Sequence, residues 1–272
     1  MRQVGALAHF PPGLLPLMAS FLAPDSIFVA GGGFVKLASA VSGFVKLASA
    51  VCYSVNTNSW RTNVPSMHTA RGGPATVAIG GRMLVFGGID AMGYSRPLAT
   101  CEAFDPITNR WTAMPSMSTA RAHACAVVWR GISLQAFVFG GRNSYGELSS
   151  VECFDPTLNQ WSAVAPMTIA RSRAAAVILS GRGLVVMGGY NITGVQQSAE
   201  LYDPATDQWT TMSWELPKRL CDFGAHCIDG ILYILGGSTS ECWSMDLTAE
   251  VPIWSPLPPL PTTLAGLSSV AL

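Results

Sequence analysis

Five apolar runs in this chain end in a Gly-Gly doublet: IFVAGG, MLVFGG, AFVFGG, VVMGG and YILGG, with doublets starting at Gly31, Gly87, Gly140, Gly188 and Gly236. Each doublet is followed by a Trp, at Trp60, Trp111, Trp161, Trp209 and Trp254, so the beat is about fifty residues. A period of that length constrains the fold more than any other feature. One such unit cannot bury both of its faces alone, so neighbouring units must stack and share a core.

The unit has several parts in fixed order. Before each Trp four segments align without gaps, YSVNTNSW, FDPITNRW, FDPTLNQW and YDPATDQW; the fifth, MDLTAEVPIW, is two residues longer. After the first four Trp residues comes a Pro near Met or Leu, then an Arg, then a small-residue β run, as in MPSMSTARAHACAVVW. The order per unit is strand a, turn, strand b ending in Gly-Gly, variable loop, strand c, turn, strand d. Glycine after strand b permits positive φ and close backbone approach. In the c–d turns Pro fixes φ and Asn tolerates the left-handed region. The strand-c aromatic and the strand-d Trp are large enough to fill the gap between adjacent sheets. Ala, Gly and Ser in strand a suit an inner strand near an axis.

These motifs resemble those of the kelch family of β-propellers, and the resemblance covers roughly residues 27–272. It implies an all-β, kelch-type propeller of five four-stranded blades, with a degenerate or truncated sixth blade as the alternative. Residues 1–26 are expected as an N-terminal coil or strand, and 27–272 as the propeller. The segment LPPLPTTLAGLSSVAL matches the d–a linker and strand a of the other units, with Leu264 in place of Arg. Residues 264–272 are therefore expected to close the ring by supplying strand a to the first blade. ASFLAPDSIFVAGG also aligns without a gap to ATVAIGGRMLVFGG, which offers Ala19 onward for the same slot.

Residues 33–52 carry GFVKLASAV twice, from Gly33 and from Gly43. The doubling is not the repeat unit. Gly31 to Gly87 spans 56 residues against 53, 48 and 48 for the later doublets, so a ten-residue tandem duplication in the first b–c loop accounts for the excess. The copy nearer Cys52 is expected to form strand c.

Apolar residues make up 49% of the chain and charged residues 12%, with formal net charge zero. That composition supports a dry core and, with no basic run, gives no reason to expect a nucleic-acid partner. Seven cysteines without a CxxC pair fit free thiols in a reducing, cytoplasmic compartment. The uncharged stretch from Gln3 to Pro24 is broken by Pro11, Pro12 and Pro16, which argues against a signal peptide or a membrane span. The sequon Asn191-Ile192-Thr193 reads as a chance match.

Charged residues that recur from unit to unit are read as architecture. Glu102, Glu152 and Glu200, each two positions before the strand-c aromatic, are placed to pair with Arg71, Arg121, Arg171 and Arg219. The b–c loops vary, and variable loops on a rigid scaffold are where recognition sits. Partner contacts are expected from Arg142, Asn143, Tyr145, Tyr94, Tyr190 and Arg173. In kelch domains that recognise acidic peptides, arginines at positions matching Arg142 and Arg173 line the pocket, so the resemblance implies a protein or peptide partner of acidic character.

The four histidines are scattered and no catalytic or phosphate-binding motif occurs, so neither an active site, a metal nor a cofactor is expected. The repeats, as in AELYDPATDQWTTM, most resemble those of BTB-kelch ubiquitin-ligase adaptors, though 272 residues leave no room for a BTB region. A monomeric, non-catalytic interaction scaffold is the expectation. Actin binding is the alternative within that class, and a sugar-active propeller enzyme the alternative from another.

Overall fold

The computed structural model of the chain describes residues 64–90, 96–131, 133–261 and 263, and before them the strands Ala19–Ala23, Ser26–Ala30, Ala50–Ser54 and Ser59–Arg61. The described residues form five four-stranded antiparallel sheets, each a meander in the order a, b, c, d. The second sheet comprises Ala75–Ile79, Arg82–Phe86, Cys101–Asp105 and Arg110–Met114. The third comprises Cys125–Arg130, Leu134–Phe139, Val151–Asp155 and Gln160–Val164. The fourth is built from Ala175–Leu179, Gly183–Met187, Ala199–Asp203 and Gln208–Thr211. The fifth is built from Phe223–Ile228, Ile231–Gly236, Cys242–Asp246 and Trp254–Leu257. Strand a of each sheet packs on strand a of the next, from the first sheet to the fifth, which is the arrangement of a β-propeller.

In the first sheet the place beside Ser26–Ala30 is held by Ala19–Ala23. This strand falls at the same offset as Ala75–Ile79 in the gapless alignment of the two units, so the N-terminal segment supplies strand a there. Residues 264–272 lie outside the described ones. Strand c of the first sheet starts at Ala50, at the tail of the second copy of the doubled stretch, and sets Cys52 opposite Phe28. The first copy also lies outside the described residues.

The repeat chemistry explains how the sheets pack. Every strand-d Trp stands opposite the strand-c aromatic or Met: Tyr53 and Trp60, Phe104 and Trp111, Phe154 and Trp161, Tyr202 and Trp209, Met245 and Trp254. Trp161 and Trp209 also reach across to the preceding sheet, edge-on to Phe86 at 5.1 Å and Phe139 at 5.9 Å. Their indole N–H groups donate to Pro115 and Ala165 carbonyls in the linker entering their own sheet. Each such aromatic both seals the gap between sheets and ties down the chain that crosses it. Full burial of a ring the size of Phe139 contributes about 1.5–3 kcal/mol.

The c–d turns follow their residue types. Asp105 and Asp155 accept backbone N–H bonds from the residues two and three further on. Asn109, Asn159 and Asp207 then take φ of 52°, 52° and 55°, the left-handed conformation these short polar side chains tolerate. The Gly doublets answer a tighter constraint. A Cβ on Gly140 would stand 2.2 Å from the Arg171 carbonyl oxygen of the next linker, and its φ is 56°.

Candidate functional site

Strand b ends, and the linker from strand d arrives, on the same face of the propeller, and the repeated charges fold inward there. The Arg71, Arg121 and Arg171 side chains are 0% exposed and pair with Glu102 at 2.8 Å, Glu152 at 2.8 Å and Glu200 at 3.1 Å. Each guanidinium also donates to the carbonyl of the first doublet glycine and to the residue two before the Glu. Each carboxylate in turn accepts linker amides, His68 and Thr69 for Glu102, Ser118 and Thr119 for Glu152, Thr168 and Ile169 for Glu200. Burial works against the charged form of Glu102, yet Arg71 and the His68 groups outweigh it and hold its carboxyl below the usual range. Arg121 and Arg171 are shifted down by burial, with their Glu partners opposing. These groups are closed to ligands.

Arg219 does not join them. Sequence spacing groups Arg219 with the recurring arginines, but the backbone puts Leu220 in the equivalent place. The amide of the second doublet glycine donates to Arg121, Arg171 and Leu220 in successive sheets, from Gly88, Gly141 and Gly189. Leu220 is 2% exposed, whereas Arg219 is exposed and donates to the Val195 carbonyl. The position matching Glu152 is taken by Trp243, since each lies opposite the equivalent strand-b residue, Val138 and Ile234. Pro217 stands where Ser118 does, so the amide that would need a carboxylate is missing as well. Three substitutions thus convert a buried ionic cluster into an apolar one.

Two residues beyond each recurring position lies a second set, Gly73, His123, Arg173 and Asp222. All four have left-handed backbone, with φ of 57°, 54°, 56° and 56°. They form a belt from sheet to sheet: His123 N–H donates to the Gly73 carbonyl at 2.8 Å, Arg173 N–H to His123 at 2.8 Å, and Asp222 N–H to Arg173 at 3.0 Å. The belt lies at the start of the inner strands, hence beside the propeller axis on the loop face. Gly73 leaves space for its neighbour, because a Cβ there would lie 2.5 Å from two atoms of the His123 ring. Arg173 pairs with Asp222, Nη1 to Oδ2 at 3.2 Å. Burial, then the Arg173 and Arg142 charges, push the His123 imidazole down to about 4, so it is neutral near pH 7. Burial raises the Asp222 carboxyl above the usual range, with Arg173 opposing.

The candidate contact residues fall around this belt. Arg142 is exposed; its backbone pairs with Ala122, beside His123, and with Glu147 across a short hairpin. Tyr190 bridges Ser172, beside Arg173, and is 43% exposed. The Gly146–Glu147 and Tyr190–Asn191 strands touch, so the loops of the third and fourth sheets form one surface. Tyr145 is 97% and Ile192 95% exposed on it. Asn143 is engaged internally, accepting the Tyr145 N–H at 2.8 Å. Tyr94 lies outside the described residues. The sequon residue Asn191 is buried, donates its amide to the Ala170 carbonyl and accepts from Thr193 and Gln196, so it is a loop brace.

Sequence reasoning reached Arg142 and Arg173 but missed His123 and Asp222. His123 shares the Arg-plus-two offset with Arg173, and that shared offset is the signal that identifies it. Asp222 was hidden by the one-residue shift between Arg219 and Leu220.

Among the described residues no three His, Cys, Asp or Glu side chains stand together as a metal site would require, and no helix is long and apolar enough to cross a membrane. Cys101, Cys125, Cys153, Cys221, Cys227 and Cys242 are free, and burial pushes the thiols of Cys101, Cys125 and Cys153 up to about 12, far from nucleophilic.

A family model described as the KLHDC2/KLHL20/DRC7 Kelch-repeats domain matches residues 18–237. Among solved structures, one described as "Structure of YjhT" superposes with a TM-score of 0.77 at 15% identity, over 97% of this chain and 89% of that one. At that identity the likeness concerns the fold. No curated protein matches the chain.

Proposed function

Because this chain belongs to the KLHDC2/KLHL20/DRC7 kelch-repeat family, whose propellers generally serve protein interaction, we propose that it binds a protein segment on its loop face, without catalysis. The observation that carries this reading is the contrast of charges at one end of the sheets. The repeated Arg–Glu pairs turn inward, while Arg142 and Arg173 stay accessible beside Tyr190, Tyr145 and Ile192. Exposed aromatics with arginines are the composition of protein-binding surfaces. Two guanidinium groups near a neutral imidazole favour a segment carrying carboxylates.

The strained backbone points the same way. Left-handed His and Arg at matching places cost conformational energy that glycine would avoid, as Gly73 does. Presentation of the bound segment to a ubiquitin ligase in the cytoplasm is the use suggested by the BTB-kelch likeness of the repeats and by the free thiols. Peptide arrays of acidic, neutral and basic segments test the reading. Acidic segments should bind best, and R142A/R173A should weaken them by tenfold or more, about 1.4 kcal/mol. Equal binding of all classes, or undiminished binding by the double variant, refutes it.

A further inference from the structure

Resting on that reading, we infer that Asp222 is a built-in competitor for the ligand's carboxylate and so sets the charge threshold of the site. Arg173 and Asp222 hold equivalent belt positions on neighbouring sheets, joined by a backbone hydrogen bond of 3.0 Å. Their side chains are therefore held side by side whether or not a ligand is present. The ion pair is a single contact, Nη1 to Oδ2, and both partners are open to solvent, with 38% of the Arg173 side chain and 21% of the Asp222 side chain exposed.

The closed pair one step deeper behaves differently. Arg171 offers both Nε and Nη2 to Glu200, and its side chain is 0% exposed. Arg173 thus keeps donors for a second carboxylate, and an arriving carboxylate that takes the planar two-point geometry of a guanidinium must share or displace Asp222. Like charges also meet directly, since the ligand would sit beside the Asp222 carboxylate. A segment with one weakly placed acid gains little against such a rival, whereas one with adjacent acids can engage Arg173 and Arg142 together. Asp222 is then a specificity-determining residue: it selects for multiple negative charge.

The test is binding of a fluorescein-labelled oligoglutamate, with oligoglutamine as its uncharged counterpart, by fluorescence anisotropy. D222N keeps the shape and removes the charge, and should tighten oligoglutamate by about fivefold while leaving oligoglutamine unchanged. The gain should vanish in R173A/D222N. Unchanged or weaker oligoglutamate binding by D222N overturns the inference, as does a gain that persists without Arg173. R142A separates the two levels: if it weakens oligoglutamate while D222N has no effect, the acidic-segment reading stands and the role of Asp222 falls. If neither variant changes binding, both fall. Thermal melts confirm that each variant is folded before its affinity is compared.

Discussion

Two positions, two residues apart, recur at the start of the inner strands of the second to fifth sheets and have opposite characters. The first holds Arg71, Arg121, Arg171 and then Leu220, all buried. The second holds Gly73, His123, Arg173 and Asp222, four different residues on one backbone conformation. The backbone treats both positions alike from sheet to sheet. What differs is which way the side chain goes: into the sheet at the first, where geometry dictates an ion pair or its apolar replacement, and along the belt at the second, His123 over Gly73 and Arg173 to Asp222, where the residue type varies from sheet to sheet. Repetition marks what the propeller needs for itself, and variation on a constant backbone marks what it has free to use.

The largest expected effect comes from breaking the first position. R121A would leave Glu152 buried without its cation and strip donors from the Gly140 and Ser150 carbonyls, at a cost of about 3–5 kcal/mol. The fifth sheet shows the alternative solution, with Leu220 and Trp243 in place of the pair. R121M/E152M should therefore cost less than R121A alone, despite removing two charged groups. Urea unfolding of the three proteins decides this, and a double variant less stable than the single would mean the fifth sheet's apolar solution does not transfer.

At the second position the sign reverses. R173G relieves the left-handed strain of a long side chain, worth about 1 kcal/mol, and loses a single-contact, half-buried ion pair of similar or smaller size. Its melting temperature should hold or rise while binding of acidic segments falls. Loss of both stability and binding would place Arg173 with the architectural set instead.

The fold was legible because its signals repeat. Gly doublets, Asp-Pro turns and Trp latches are each short-range rules imposed by one backbone geometry, and five units in phase leave little freedom. The buried Arg–Glu pairs were legible for the same reason. The site was less so: Arg219 looks like the recurring Arg, and only the hydrogen bond from Gly189 to Leu220 shows that the register is one residue on. Pro217 and Trp243 are the sequence's own hint, since they lack the amide and the carboxylate that an Arg would require nearby. His123 eluded a search for clustered ligands because its neighbours come from other sheets, Gly73 beneath it and Arg173 beside it. Strand a of the first sheet turned on two segments of equal pattern, which local rules do not rank.

The smallest expected effect is a titration, and it tests whether the belt acts electrostatically as a unit. His123 in the folded chain takes up its proton near 4, against 6.5 for an ordinary imidazole, with burial as the larger cause and Arg173 the next. The unfolded chain therefore binds this proton first as pH falls. Stability contributed by the neutral ring is present above 6.5 and declines as pH drops from 6.5 toward 4, where the folded form begins to take the proton too. NMR observation of the His123 ring should show it neutral through that window in the wild type. In R173A the midpoint should move upward, though not to 6.5, because burial remains. H123Q, which cannot titrate, should show a shallower loss of melting temperature over the same interval. A His123 midpoint unmoved by R173A would mean that the two belt residues share a backbone but not a field, and that the loop face presents its arginines singly.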